Sequence, residues 1–284
     1  MVFDPWNSPV LGPDLIAEGL GAFDELEFLG RGTFGESYRA LRDDDEYCLK
    51  VVFYPDLPEH LWEREIAALR RVDHPNVVGF RTSGRTEIQG KAYPYLECDY
   101  VNGGTVKQRI DESRRATTPA ETRGLLTGLL AGVAEIHDLG VLHRDIKPAN
   151  TALRDGDWGQ PVLLDFGLAR VLDMSSHTEY PARIGTEAYM APEQLRGQQA
   201  RRRSDIFSLA VVTYEAGTGQ HPFFEPGMSL QSLHDRIQGQ PPEDPRRLSD
   251  AFDDQTTEVV LRLLSYRAYE RLGITDAFRD LEGD

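Results

Sequence analysis

At Asn102-Gly103-Gly104 the chain changes character, and that change constrains the fold more than any other feature. Before it, short apolar runs separated by turn residues read as strands. They are Phe28 to Tyr38 around a glycine-rich turn, Tyr47 to Phe53, and then Val77 to Phe80 and Ala92 to Tyr100 on either side of a hairpin around Gly84 to Gly90. One amphipathic run, Leu61 to Leu69, interrupts them as a helix. After the change helices dominate. Thr118-Pro119-Ala120-Glu121 is a capping box with Pro at the first helical position, and Leu125, Leu126, Leu129, Leu130, Val133 and Ile136 continue it as an apolar stripe. Ser204 to Tyr214 is a mostly apolar helix opened by a capping residue and stopped at Gly217 to Gly219, and another helix lies near Thr257 to Leu264. Strands first and helices after describe an α+β chain in two segregated parts, and 284 residues suffice for one two-lobed domain or two small ones.

The spacing divides the chain at 1–22, 23–101 and 102–284, with Asp99 to Val101 as a hinge. Residues 1–22 hold Pro5, Pro9 and Pro13 with Trp6, Leu11, Leu15 and Ile16, and read either as an arm lying on the domain or as a leader without fixed structure. A net charge of −16 argues against nucleic acid or an anionic membrane as partner, and favours a basic peptide or a metal–nucleotide complex. No window approaches eighteen uninterrupted apolar residues, and the start lacks the basic and apolar segments of a signal peptide, so no membrane segment and a cytoplasmic location are expected. Oligomeric state is not legible. Cys48 and Cys98 are too few for a disulfide scaffold or a self-contained zinc site. Only four of 31 basic residues are Lys, so a Lys at a motif position points to chemistry that a planar guanidinium does not supply. Lys50 and Lys147 stand at such positions.

The residues that carry chemistry sit mostly between these elements. His143-Arg144-Asp145-Ile146-Lys147-Pro148-Ala149-Asn150 follows the long helix, and Asp165-Phe166-Gly167 comes twenty positions after Asp145. Asp145 offers a carboxylate to accept a hydroxyl proton, Lys147 a cation to neutralise a phosphoryl group, and Asn150 and Asp165 the oxygen ligands that Mg²⁺ prefers. Turn formation explains each of these residues singly, but not all four with a matched Asp-Phe-Gly. Gly30, Gly32 and Gly35 form a GxGxxG, which alone also suits the turn of a Rossmann fold. A Rossmann turn opens a helix, whereas Ser37 to Leu41 continues as a strand. The glycines then sit in a hairpin whose backbone N–H groups can approach phosphates. Lys50 lies in an apolar strand and needs an anion, for which Glu65 on the following helix is the candidate. After Asp165 a polar segment with Ser175, Ser176 and Thr178 closes at Gly185 to Glu193, and long loops of this kind are functional or disordered.

In this order the motifs resemble the eukaryotic-like, Hanks-type serine/threonine protein kinase catalytic domain over about Phe23 to Asp284. The resemblance implies a two-lobed fold, with a small antiparallel sheet and one helix in the first lobe and a mostly helical second lobe. It implies ATP with Mg²⁺, or Mn²⁺, as cofactors and a protein substrate carrying Ser or Thr. By the same resemblance Gly30, Gly32 and Gly35 cover the phosphates, Lys50 paired with Glu65 holds them, and Ser37, Cys48, Cys98, Asp99 and Val101 surround the adenine. Asp145 is the base, Lys147 stabilises the transferred group, and Asn150 and Asp165 bind the metal. Ser37 and Cys48 depart from the family's usual Val and Ala. The two Cys are packed thiols or, less simply, a redox pair. Asp205 resembles the residue that anchors the catalytic loop, Glu193 and Arg271 a structural ion pair, and Leu69, Phe80, His143 and Phe166 a stacked spine. Arg144 marks the subgroup in which an anion on the activation segment orders the loop, with Ser175, Ser176 and Thr178 as autophosphorylation candidates and Thr186 as a contact of Asp145. A pseudokinase acting by binding alone, and a small-molecule phosphotransferase, are the competing readings.

Overall fold

The computed structural model describes residues 10–32, 35–55, 57–112, 117–165 and 187–283, with the side chains of Leu61, Arg64 and Glu65 left aside. The described chain divides into two compact units. The first runs to Asp73 and resumes over Val78–Tyr100, while the second takes His74–Val77 and continues from Val101.

The first unit is a five-stranded antiparallel sheet in the order β1-β2-β3-β5-β4, formed by β1 (Glu25–Arg31), β2 (Gly35–Arg42), β3 (Asp45–Val52), β4 (Phe80–Ile88) and β5 (Lys91–Asp99). Its two tightest turns follow from backbone preference. Asp43 and Asp44 both take positive φ between β2 and β3, and Gln89 and Gly90 do the same between β4 and β5, matching the right-handed twist of the flanking strands. Tyr38, Ala40, Tyr47, Leu49, Val51 and Ile88 make the buried cluster of this sheet.

Two helices accompany the sheet. In α2 (Glu59–Leu69), Trp62, Ile66 and Leu69 recur at helical spacing and are all buried. The other, α1 (Gly12–Leu20), lies in the segment the sequence leaves as an arm or leader, and it adds Leu11 and Ile16 to the sheet's cluster. Its signal is short because only one face meets the sheet and Gly12 and Gly19 dilute its helical propensity.

One strand starts later than the sequence implies. Val77 to Phe80 reads as a strand, but β4 begins at Phe80 and runs through Gly84, where the Tyr95 ring leaves about 3.0 Å to a would-be Cβ. That glycine makes room for an aromatic across the strand rather than a turn, and Val77 instead forms a parallel bridge with Leu163.

The second unit is helical: α3 (Val106–Glu112), α4 (Pro119–Asp138), α5 (Pro192–Leu195), α6 (Arg202–Thr218), α7 (Leu230–Gly239), α8 (Asp254–Leu263) and α9 (Ile274–Glu282), with a small antiparallel pair β6 (Thr151–Leu153) and β7 (Pro161–Leu163). The capping box that opens α4 is formed in both directions, with Glu121 N donating to Thr118 Oγ1 at 3.3 Å and Thr118 N to Glu121 Oε2 at 2.7 Å. The Leu125 to Ile136 stripe is fully buried. Helix α6 is buried almost throughout from Ser204 to Gly217, as expected of a helix apolar on all sides at the centre of a core. Ser204 is not its N-cap. That position is Arg201, and Ser204 Oγ reaches back to accept from Arg201 N at 2.9 Å. No described helix is long and apolar enough to cross a membrane.

Glu193 and Arg271 lock the far side of this core. Arg271 donates from Nη1 at 2.8 Å and from Nη2 at 2.9 Å to the two Glu193 oxygens, and also to the carbonyls of Ser265, Tyr266 and Arg203, over the Phe207 ring. Burial alone pushes the Glu193 carboxyl up; the Arg271 hydrogen bonds and charge, with Ser204, outweigh it and hold it below the usual range. Arg271→Ala strands a largely buried carboxylate and should cost about 3–5 kcal/mol in urea unfolding. Because the folded pKa is depressed, the pair's contribution is complete above the ordinary glutamate value of 4.5 and is lost as pH falls through the folded value. Glu193→Gln should flatten the acid limb of the stability curve in that window.

Candidate active site

Helix α4 ends at Asp138, and the chain turns into the His143 to Asn150 loop over α6. Asp205 of α6 is 1% exposed, so its carboxylate has exchanged water for protein donors. Oδ2 accepts from His143 N at 3.0 Å, Oδ1 accepts from Arg144 N at 2.8 Å, and His137 Nε2 lies 2.8 Å from Oδ2. Two consecutive backbone amides on one carboxylate require an unusual turn, and Arg144 takes it with φ of 70°. A non-glycine residue in that region costs about 1–3 kcal/mol, and charge-assisted bonds of about 1.5–3 kcal/mol each are large enough to hold it.

The turn delivers three of the sequence-predicted residues to one point. Lys147 Nζ and Asn150 Nδ2 each donate to Asp145 Oδ2 at 2.8 Å, and Asn150 Nδ2 also donates to the Asp145 carbonyl at 2.9 Å. Ile146, 2% exposed, anchors the loop in the core. Leu164 N donates to the Asn150 carbonyl at 2.9 Å, which ties the Asp165 end of β7 to the same loop. Asp165 is the second non-glycine residue of the site with left-handed backbone, at φ of 58°. Burial lowers the His143 imidazole pKa against the opposing charges of Asp205, Asp145 and Asp165, so this ring is neutral at physiological pH.

The donor set fits a hard divalent cation. Both amide hydrogens of Asn150 go to Asp145, so the side chain's remaining polar atom is its carbonyl oxygen, and Asp165 adds carboxylate oxygens.

The first unit carries the remaining predicted residues. Ser37 pairs across the sheet with Lys50, Cys48 with Cys98, and Lys50 with Leu96. Lys50 is 5% exposed, a buried cation in an apolar strand. Neither Cys is in a disulfide. Asp99 ends β5, where its N–H donates to the Gly79 carbonyl at 2.9 Å and Arg81 Nε donates to its Oδ1 at 2.8 Å. Val101 follows as the first residue of its stretch of the second unit. Glu65 lies in α2, with its side chain outside the described residues. Phe166, Ser175, Ser176, Thr178 and Thr186 lie outside the described residues altogether.

The three loop glycines are not alike. Gly35 has no room for a side chain, because a Cβ would lie 2.0 Å from the Val51 carbonyl oxygen. Among the described residues, a Cβ on Gly30 would meet nothing within 4 Å and one on Gly32 only the Gly35 carbonyl at 4.0 Å, and neither residue takes positive φ. Folding therefore demands glycine at 35 but not at 30 or 32, where the open space suits a close-approaching ligand.

Sequence reasoning did not single out Glu36, His137 or Arg81. Glu36 was findable. Strand alternation puts it on the same face as Tyr38 and Ala40, and a carboxylate on an apolar face needs donors.

The chain matches the family model described as the protein kinase domain over residues 23–281. It is 34% identical to the DNA damage-responsive serine/threonine-protein kinase RqkA of Deinococcus radiodurans, over 88% of this chain and 37% of that protein. It is 34% identical to the probable serine/threonine-protein kinase PkwA of Thermomonospora curvata, over 89% of this chain and 32% of that one. Against the human serine/threonine-protein kinase Nek5 it is 32% identical, over 74% of this chain and 30% of that protein. The chain thus spans roughly a third of the length of these relatives. The order of the motifs, the sheet-then-helix fold and these matches agree: the chain belongs to the protein kinase family, on its serine/threonine branch.

Proposed function

We propose that this chain transfers the γ-phosphoryl group of ATP, with Mg²⁺, to Ser and Thr hydroxyls of protein substrates. The family uses ATP and a divalent metal; Mg²⁺, with Mn²⁺ as substitute, is the finer part of the proposal. One observation carries the reading: Asp145 Oδ2 is occupied by Lys147 and Asn150, which leaves Oδ1 to accept the proton of an incoming hydroxyl. Lys147, 16% exposed beside that carboxylate, offsets charge on the transferred group. Lys50, paired with Glu65, holds the α- and β-phosphates, and the backbone at Gly30 and Gly32, with no side chains in the way, comes close over them. Ser37, Cys48, Cys98, Asp99 and Val101 contact the adenine. Asn150 and Asp165 would hold the metal, which would supply positive charge to offset that of the phosphates.

The net charge of −16 suits basic protein substrates and a location in the cytoplasm away from anionic surfaces. Arg144 receives a phosphate placed on Ser175, Ser176 or Thr178, which ties activity to autophosphorylation, while Thr186 touches the base.

Incubation of the full chain with labelled ATP and Mg²⁺ tests the reading. Asp145→Ala should lower transfer by about 10²–10⁴-fold with nucleotide affinity retained. Binding of ATP without transfer by the unaltered protein would leave a binding module instead. The glycines give a second test. Gly32→Ala should weaken Mg·ATP binding on the order of tenfold without moving the melting temperature, and Gly35→Ala should lower the melting temperature, read by titration calorimetry and thermal unfolding.

A further inference from the structure

The carboxylate of Glu36 is wholly buried one residue after the third loop glycine, and each of its oxygens has two donors. Oε1 accepts from Val10 N and from Arg31 Nε at 3.2 Å. Oε2 accepts from Leu11 N at 3.2 Å and from Tyr38 Oη at 2.9 Å. A carboxylate offers about four acceptor sites, so this one is filled. Half of its donors come from residues 10 and 11, which lead directly into α1. Arg31 stands between Gly30 and Gly32.

Helix α1 is held to the sheet at both ends. Leu11 and Ile16 are 6% and 0% exposed in the sheet's core. The helix backbone lies tight on β4 at Gly19, where a Cβ would come within 2.3 Å of Thr86 Oγ1. Arg42 donates to the Leu20 carbonyl at 3.1 Å and to the Ala22 carbonyl at 3.3 Å, closing the C-terminal end. The segment precedes residue 23, where the match to the family model begins.

We infer that residues 10–22 are a clamp on the glycine-rich loop, and that Glu36 is the positioning residue that transmits it, holding Arg31 only while Val10 and Leu11 complete its shell. Losing the arm's two donors leaves a buried carboxylate half-satisfied; it then turns toward water and gives up its own bond to Arg31. The arm thereby sets affinity for the nucleotide phosphates. This rests on the reading of Gly30 and Gly32 as the phosphate-facing stretch.

The test compares the full chain with Glu36→Gln, which keeps the shape but turns an amide NH₂ toward filled donors, and with Ile16→Asp, which undocks α1. Glu18→Gln, on the exposed face of α1, is the control. Two readouts are taken: hydrogen exchange at the Gly32 amide, which donates to the Gly35 carbonyl at 2.9 Å, and the dissociation constant for Mg·ADP by calorimetry. Exchange at Gly32 should accelerate, and Mg·ADP binding weaken, each on the order of tenfold in both variants, with the transfer rate at saturating ATP within about twofold. A purely structural role would lower that saturated rate and leave the dissociation constant alone. Unchanged exchange and affinity in Glu36→Gln overturn the clamp, and this isosteric variant decides the matter if Ile16→Asp does not fold. Failure of the unaltered protein to bind Mg·ADP overturns the nucleotide reading instead, while Gly32 exchange still reports on the clamp.

Discussion

The second unit depends on one buried carboxylate. Asp205 sits on α6, the helix around which that core is packed, and it accepts from two consecutive amides of the loop while His137 of α4 closes its remaining side. An isolated charge there would be prohibitively unfavourable, so the loop must bring its N–H groups to it. The bend this demands falls on Arg144, and from it follow the direction of Asp145 and the short turn over Pro148–Asn150 that swings Asn150 back onto Asp145. A carboxylate left only 1% exposed thus sets the geometry of Asp145 and Asn150, to which the proposed function assigns the chemistry.

A similar device recurs in the first unit. Glu36 is a buried carboxylate in a strand, and its donors come from Arg31 at the end of β1, from Tyr38 of its own strand, and from Val10 and Leu11, which lead into the N-terminal helix. In both places a full set of hydrogen bonds converts a costly burial into a positional constraint. The two differ in what they hold. Asp205 fixes a loop from within the core, whereas Glu36 joins the loop to the segment that precedes residue 23, where the match to the family model begins.

Much of this was legible from residues alone because it is local. The capping box at Thr118, the stripe from Leu125 to Ile136, and the alternation of β2 and β3 each depend on neighbours in sequence. The clustering of Asp145, Lys147 and Asn150 was legible because the three lie within six residues and meet within one turn. What was missed depends on distant partners. Gly84 reads as a turn until the Tyr95 ring is seen across it, and Ser204 reads as a cap until Arg201 takes that place. The helix Gly12–Leu20 has too few apolar positions to announce itself without the sheet that receives Ile16. The distinction between Gly35, crowded by Val51, and Gly30, which meets nothing among the described residues, is invisible in a GxGxxG string.

The account stands on Asp205 holding the loop in its active geometry, and Asp205→Asn tests this directly. The amide keeps the volume but faces one backbone N–H with its own donor, so one loop anchor is lost without a cavity. Single-turnover transfer at saturating ATP should fall by about a hundredfold or more, with Mg·ADP affinity within about twofold and far-UV circular dichroism unchanged. An unchanged transfer rate in a folded Asp205→Asn protein would contradict it.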